Sequence, residues 1–300
     1  MFKKIHQSTG HRAALYTLAP SHTPRCILAA GGDGWISEWQ LDDPETGRVI
    51  AQTPTPIYAL DISPPHWPEQ LLLIGDMLGH LYWIDRAHPE AGRNVQHHSK
   101  GIYAIQWQLA EEEVFTAGGD GVLTRWNPRE KRPVESIQLS NRPLRCLASN
   151  PRQDLLAVGA SDGYIYYLRR SSFELLERVN AHQFSVFSLL WSPDGTILYS
   201  GGRDALLKSW RDVNVNEISI PAHLGTINHL VLSPNGQWIA SAGKDKNIKI
   251  WAAADLRLLK VLDTIREQGH FNSVNRLIWD ENGLFSVSDD RSIIFWGAEK

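Results

Sequence analysis

The sequence predicts an all-β chain of seven repeats, each offering four short strands. Three marks recur at fixed spacing: a bulky residue that ends the repeat, an aspartate six residues before it, and a histidine near the start. The repeats end near Trp39, Ile84, Trp126, Leu168, Trp210, Trp251 and Trp296, at intervals of 41 to 45 residues. A regular period of this length is typical of repeat architectures.

The first strand of each repeat is marked by a histidine and, four residues later, an aliphatic residue. His11, His98, His182 and His223 lie 28 residues before the end of their repeats, and His270 lies 26 before. Repeats two and four lack the histidine but keep the strand. The strands open at Leu15, Ile57, Ile102, Leu144, Val186, Ile227 and Val274.

Turn residues separate the remaining strands. Segments such as 192–195 (Ser-Pro-Asp-Gly) carry proline early and glycine late, as β-turns do. Later in the repeat, a Gly-Asp-Gly turn such as 32–34 leads through alternating residues to the terminal tryptophan. No segment beside these turns sustains an apolar period of 3.6, so helices are not expected.

A repeat of 40–45 residues with an early histidine, a late aspartate and a terminal tryptophan resembles the WD40 repeat. The resemblance covers essentially the whole chain, although the final dipeptide is rarely Trp-Asp and Trp126-Asn127 comes nearest. It implies one domain, residues 1–300, folded as a seven-bladed β-propeller. The last repeat has only three strands, so residues 1–7 are expected to form the outer strand of the last blade and close the ring. The alternative is a disordered tail.

The resemblance also implies a hydrogen-bonded Asp–His–Ser/Thr–Trp network inside a blade. The matching sets are His98/Thr116/Asp120/Trp126, His182/Ser200/Asp204/Trp210, His223/Ser241/Asp245/Trp251 and His270/Ser286/Asp290/Trp296. A catalytic Ser–His–Asp triad uses the same residue types. Four copies at one offset favour a structural role, so no catalytic residue is expected. Repeat one has Ala29 at the hydroxyl position, and repeats two and four lack most of the set.

In WD40 propellers the residue after each strand-opening aliphatic reaches the mouth of the central channel. Those positions are Tyr16, Tyr58, Tyr103, Arg145, Phe187, Asn228 and Asn275. Neighbouring loop positions add the basic residues Lys100, Arg142, Arg203 and Lys244. Aromatic and arginine side chains are common interface anchors, which suggests a site for an acidic peptide or protein segment. The alternative is that these side chains merely pack or face water.

Two insertions offer other surfaces. One is a proline-rich turn containing Trp67, which either docks a partner or packs on its own blade. The other lengthens the entry to repeat seven around Ile265, which is either a contact or a local anchor.

Composition narrows the function classes. The net charge of -3 gives no general drive towards nucleic acid or anionic membrane. Two cysteines without a CxxC pairing exclude a disulfide scaffold or cysteine-rich zinc site, and no metal or cofactor is expected. There is no long apolar stretch and no signal peptide pattern, so a cytoplasmic location is expected. The leading interpretation is a non-catalytic protein-interaction scaffold. A hydrolase-type propeller enzyme and a single-stranded nucleic-acid binder are the alternatives.

Overall fold

The computed structural model describes residues 2–41, 43–108 and 112–298. Within these ranges, 28 strands form seven four-stranded antiparallel sheets. The blades of the first half are β2 Leu15–Pro20, β3 Cys26–Gly31, β4 Trp35–Gln40, β5 Asp43–Gln52; β6 Ile57–Ile62, β7 Leu71–Asp76, β8 His80–Asp85, β9 Arg93–Gln96; and β10 Ile102–Gln108, β11 Glu113–Gly118, β12 Val122–Asn127, β13 Arg132–Gln138. A short 3-10 turn, Pro89–Ala91, precedes β9.

The remaining blades follow the same order from inner to outer strand. They are β14 Leu144–Ser149, β15 Leu155–Ala160, β16 Tyr164–Arg169, β17 Glu174–Asn180; β18 Val186–Trp191, β19 Ile197–Gly202, β20 Leu206–Arg211, β21 Val215–Pro221; β22 Ile227–Leu232, β23 Trp238–Gly243, β24 Ile248–Ala252, β25 Leu258–Leu262; and β26 Val274–Asp280, β27 Gly283–Ser288, β28 Ser292–Ala298 with β1 Phe2–Thr9.

Tight turns set the strand lengths. Gly121, in the turn between β11 and β12, has a φ of 83°. A Cβ built there would lie 1.8 Å from the carbonyl oxygen of Ser140, so only glycine fits.

The seven inner strands surround a central channel, each beside the next, and β26 returns to β2. The apolar core lies between neighbouring blades. In one cluster, Leu73 and Trp83 of the second blade pack with Ile105 and Val114 of the third. Each blade therefore buries its face only by standing against the next one, and the ring must close for all faces to be covered.

The N-terminal strand closes the ring, as the sequence predicts. β1 pairs with β28 from Phe2 opposite Ala298 to Thr9 opposite Ser292. It runs two residues beyond the expected end at residue 7, and residue 1 lies outside the described residues. In the described ranges, no helix is long and apolar enough to cross a membrane.

Candidate functional site: the channel mouth and the loops that hold it

Blades three, five, six and seven each contain a buried chain of four polar side chains, here called the tetrad. In blade five, Trp210 Nε1 donates to Ser200 Oγ at 2.8 Å, and that oxygen lies 2.8 Å from His182 Nε2. His182 Nδ1 lies 2.8 Å from Asp204. With the proton on Nδ1, every group is paired in one direction, from indole to hydroxyl to imidazole to carboxylate.

The other three tetrads show the same contacts, at 2.7 to 3.1 Å. The hydroxyl again stands between the indole and the imidazole. The members are His98, Thr116, Asp120 and Trp126 in blade three; His223, Ser241, Asp245 and Trp251 in blade six; and His270, Ser286, Asp290 and Trp296 in blade seven.

Burial argues against a catalytic triad. The four hydroxyl-bearing residues, Thr116, Ser200, Ser241 and Ser286, are all 0% exposed. The side chains of the four histidines, His98, His182, His223 and His270, are equally enclosed. Each hydroxyl already accepts from the indole of its tryptophan, so it has no open side for a substrate. These four sets of residues are therefore enclosed hydrogen-bonded networks within their blades.

Each tetrad aspartate also fixes the loop that follows the histidine. In blade three, Asp120 accepts the backbone N–H of Ser99 at 2.8 Å and that of Val122 at 3.1 Å. Burial alone would raise the pKa of Asp120, but hydrogen bonds from His98 and these two backbone groups lower it to about 2. The carboxylate therefore stays charged and ties together two loops at the same end of the blade.

Blade one places its hydroxyl on the opposite strand. Ala29 provides no hydroxyl at the expected position, and Ser37, directly across the β3–β4 pair, supplies it. Ser37 Oγ lies 2.6 Å from His11 Nε2 and accepts from Trp39 Nε1 at 2.7 Å. Asp33 completes this tetrad at 2.8 Å from His11 Nδ1.

Blade two replaces the tetrad with a network around Asp76. This residue lies two positions before Leu78, where the repeat spacing would have put the aspartate. It is 0% exposed and accepts from Thr55 Oγ1 at 2.7 Å and from the backbone N–H of His80 at 2.9 Å. At the equivalent place in blade three, a Cβ on Gly118 would lie 2.2 Å from His98 Nδ1. The aspartate is tolerated here because blade two lacks the histidine.

Blade four uses two hydroxyl groups instead of a histidine. Asp162 accepts from Ser140 Oγ at 2.5 Å and from Tyr166 Oη at 2.7 Å. The repeat spacing did not predict the roles of Ser37, Asp76, Ser140 and Tyr166. A buried aspartate or histidine can form its hydrogen bonds with any suitably placed group, and not only with one at a fixed distance in the sequence.

All seven expected mouth residues lie at one structural feature, a β-bulge near the start of the inner strand. The register between inner and second strand skips one residue in every blade, as between Ile102 and Ala104. A bulge leaves its residue out of the ladder and re-aims the side chain, so the seven positions share one local geometry. The skipped residues are Tyr16, Tyr58, Tyr103, Arg145, Phe187, Asn228 and Asn275.

Five of these side chains form a continuous row. The rings of Tyr16 and Tyr58 lie 5.4 Å apart, and those of Tyr58 and Tyr103 lie 5.2 Å apart. The Arg145 guanidinium follows, 4.2 Å from the ring centre of Tyr103 and 5.4 Å from that of Phe187. Partial burial raises the pKa of Tyr58, with Tyr103 as a further cause, so this phenol stays neutral.

The two asparagines act differently, because each braces the next blade. Asn228 Nδ2 donates to the carbonyl oxygen of Val274 at 2.8 Å. Asn275 Nδ2 donates to the carbonyl oxygen of Leu15 and to Asp289, both at 2.7 Å. Their amide donors are thus engaged across the last blade boundaries, and the adaptable part of the mouth is the aromatic row with Arg145.

The rim around the mouth is basic and carries exposed apolar side chains. Phe184, Leu224 and Phe271 follow the tetrad histidines of blades five, six and seven and are 48%, 94% and 61% exposed. The sequence analysis did not single out Leu224 and Phe271, although a large apolar residue in a polar turn is itself a signal. The exposed cations of the rim are Lys100, Arg142, Arg203 and Lys244.

The two insertions differ in exposure. Trp67 is buried, with its ring 5.0 Å from Trp107 and beneath the guanidinium of Arg129 at 4.8 Å. It therefore packs against the neighbouring blade, in a core cluster that also includes residues of its own blade. Ile265 is 91% exposed. In the part of the chain that is described, no three His, Cys, Asp or Glu side chains cluster closely enough to hold a metal ion.

Comparison with known proteins agrees with this architecture. Residues 2–40, 215–252 and 259–297 match the family described as "WD domain, G-beta repeat", and residues 83–205 match an "N-terminal beta-propeller domain". The WD40 beta propeller domain of Doa1 superposes with a TM-score of 0.86 at 17% identity, covering 100% of this chain and 98% of that one.

Curated relatives match over shorter stretches. The anaphase-promoting complex subunit cdh1 of Dictyostelium discoideum is 35% identical over 112 residues, which is 36% of this chain and 15% of that protein. Protein groucho of Drosophila melanogaster is 27% identical over 190 residues, 62% of this chain and 25% of that protein. The aligned part thus spans a quarter or less of these relatives.

Proposed function

We propose that this chain, a seven-bladed β-propeller built from WD40 repeats, is a non-catalytic scaffold that binds an acidic peptide or protein segment at its channel mouth. The observation that carries the proposal is the combination, on one face, of a basic rim with exposed apolar side chains. Leu224 is 94% exposed and Phe271 is 61% exposed, and both lie in loops of the rim that carries the cations.

Loop rigidity supports a docking role for these side chains. The backbone N–H groups of Leu224 and Phe271 donate to the tetrad aspartates of their blades at 3.0 and 3.2 Å. The loops therefore cannot fold inward to bury the apolar groups. A preorganised apolar contact loses little conformational entropy on binding.

Charge supports an acidic segment. Lys100, Arg203 and Lys244 are exposed at the rim, while Asp289 is held by Asn275. Such a rim steers an acidic partner and suppresses basic ones. By its name the Dictyostelium relative is a subunit of a larger complex, which fits a scaffold. The free thiols of Cys26 and Cys146 fit a reducing, cytoplasmic setting.

The alternatives receive less support. A hydrolase would need reactive groups open to substrate, whereas the four tetrad histidines are enclosed. A single-strand binder would stack bases on free aromatic faces, but Tyr58 stands between Tyr16 and Tyr103 and Tyr103 is covered by Arg145.

A random peptide library displayed on phage tests the proposal. We expect the wild type to enrich peptides rich in Asp and Glu with one large apolar residue. The R203E/K244E variant should bind the enriched peptide about tenfold or more weakly, because two rim cations are reversed. The matched control is R169E/R257E, since those arginines are exposed away from the rim, and it should bind like the wild type.

Three results would contradict the proposal: enrichment of basic peptides, equal loss of binding in both variants, or no enrichment at all. Melting curves of both variants should match the wild type, which separates a lost contact from a lost fold. Raising the ionic strength should weaken binding of the wild type.

A further inference from the structure

A second ring of side chains lies one residue beyond the mouth ring on the inner strands. In the first five blades the residue of this second ring is small. In the last two blades it is a large side chain that carries nitrogen atoms. The small residues leave room opposite His229 and Arg276. The full ring is Thr17, Ala59, Ala104, Cys146, Ser188, His229 and Arg276.

That room is a cavity of about 250 Å³ in the central channel. Cys146, Ser188, His229 and Arg276 are among the residues that line it. It also reaches Pro20, the last residue of β2, so it extends away from the mouth towards the far ends of the inner strands. This volume is too small for a folded partner but large enough for a small organic molecule.

Arg276 also lines this cavity. Among the described residues, none lies in an ion pair or hydrogen bond with its guanidinium; the charged group that acts on it most is Asp61, beyond ion-pair distance. Arg276 is only partly buried, and none of its nitrogen atoms is among the enclosed, unsatisfied ones, so the guanidinium faces the open channel. Its five N–H donors are therefore available to a ligand with acceptor atoms.

His229 offers a second donor on the neighbouring blade. Its Nδ1 accepts the backbone N–H of Leu277 at 3.3 Å. The ring proton is therefore on Nε2, which has no hydrogen bond to the described protein. Burial, and then the nearby Arg276, lower the pKa of His229 well below its usual value, so the ring is neutral and keeps this tautomer.

Two side-chain acceptors that line the cavity already accept backbone N–H groups. Asp61 accepts the backbone N–H groups of Ile62 and Trp107, both at 2.9 Å. Ser188 Oγ accepts the backbone N–H of Leu230 at 2.9 Å. Among the described residues, the donors of Arg276 and the Nε2 of His229 face the cavity without a protein hydrogen bond, which favours a ligand with acceptor oxygens. The planar guanidinium matches a carboxylate best, through two parallel hydrogen bonds.

An apolar groove continues from the cavity. It has a volume of about 390 Å³ and shares Leu147, Leu189 and His229 with the cavity. Trp191 and Pro193 form its outer part. A ligand with its carboxylate at the guanidinium would lay an apolar body along these leucines.

We propose that the central channel binds a small carboxylate with an apolar body, held by Arg276 and His229. This site is separate from the mouth, so it does not depend on the proposed function. Benzoate is the test ligand, and benzamide is its uncharged match in shape. Acetate tests the head group alone, and inorganic phosphate tests general anion binding.

Calorimetry at constant ionic strength, with each compound up to about 10 mM, measures binding. We expect benzoate to bind the wild type at least tenfold more tightly than benzamide, acetate or phosphate. R276M removes the charge but keeps most of the side-chain volume, and should abolish benzoate binding. R276K should retain part of it. R257E, an exposed change next to the outer strand β25, should bind benzoate like the wild type.

Stability gives a second readout. If Arg276 is positioned for a ligand, R276M should melt at the same or a higher temperature than the unliganded wild type at pH 5, where Asp61 is largely uncharged and needs no counter-charge. A lower melting temperature together with absent benzoate binding in the wild type would show a structural arginine and overturn the proposal.

Two further outcomes test the ligand class and the location of the site. Equal binding of phosphate and benzoate would overturn the apolar carboxylate class. Competition between benzoate and the phage-selected mouth peptide would place benzoate at the mouth and overturn the channel site, whereas independent binding would support it. If no peptide is selected, the benzoate comparison still stands by itself.

Discussion

The hydroxyl group of blade one gives the sharpest test of how the blades are held. Ser37 occupies a site that the other tetrads fill from the adjacent strand, where this blade has Ala29. We expect Ser37→Ala to destabilise the protein, because two buried groups lose their partner: the Trp39 indole N–H and the Nε2 acceptor of His11. Both residues are 7% exposed, so water cannot replace the hydroxyl.

The magnitude follows from the number of orphaned groups. A buried polar group without a partner costs about 1–3 kcal/mol, so two such groups cost roughly 2–6 kcal/mol. The double variant A29S/S37A should regain most of this free energy, because it moves the hydroxyl to the strand that carries Thr116, Ser200, Ser241 and Ser286 in the other tetrads. The matched control is Ser219→Ala on exposed β21, expected within about 0.5 kcal/mol of the wild type.

Urea unfolding followed by tryptophan fluorescence measures these differences through the transition midpoint. The reasoning would be refuted if Ser37→Ala cost no more than Ser219→Ala. It would equally fail if A29S/S37A were no more stable than Ser37→Ala, since the hydroxyl would then not be interchangeable between the two strands.

Three further predictions concern closure and charge. Deleting residues 2–9 should lower the melting temperature and promote self-association by exposing the edge of β28, and the missing peptide added in excess should reverse both, as light scattering would show. Burial raises the pKa of Asp61 to about 6, so its ionisation destabilises the fold as pH rises from about 4 to 6. In urea unfolding, Asp61→Asn should therefore remove a loss of stability between about pH 4 and pH 8 that amounts to up to about 3 kcal/mol, and less where channel water screens the charge. The amide keeps only one of the two acceptor oxygens, so the variant should lose a constant amount of stability at every pH. The ionisation of Asp120 has the opposite effect on stability, since its lowered pKa means that the charged form stabilises the fold above about pH 4. That stability should be lost between about pH 4 and pH 2, and in melting curves an Asp120→Asn variant should show a smaller acid dependence than the wild type, because other carboxylates such as Asp245 still titrate in this range.

The repeat spacing predicts the fold because each blade repeats the same local chemistry. Leu15 and Val274, at opposite ends of the chain, both open inner strands at the expected positions. Ring closure could be predicted by counting strands, because the last repeat lacks one. These are properties of order along the chain, and they need no knowledge of side-chain geometry.

The partners inside the atypical blades could not be predicted this way. Ser37 reaches its histidine from across a strand pair, and Asp76 lies two residues ahead of the usual aspartate. Both solutions satisfy the same hydrogen-bonding requirement in three dimensions, and a fixed offset in sequence detects only one solution. The channel cavity could not be predicted for the same reason. Arg276 and His229 both line it because the blades are arranged in a ring, and no sequence spacing marks the pair.

The seven mouth positions could be predicted from the first residue of each inner strand. The different roles of these residues depend on three-dimensional contacts, which the sequence does not show. The bulge turns one residue of each inner strand towards the mouth and leaves the next one to line the channel. In blade seven these neighbours are Asn275, which braces blade one, and Arg276, which has no protein partner among the described residues. A braced residue and an unpaired residue side by side on one strand imply different roles, stability for the first and binding for the second. Substituting Asn275 should therefore lower the melting temperature, whereas substituting Arg276 should not, and this contrast separates the frame of the propeller from the ligand sites that it supports.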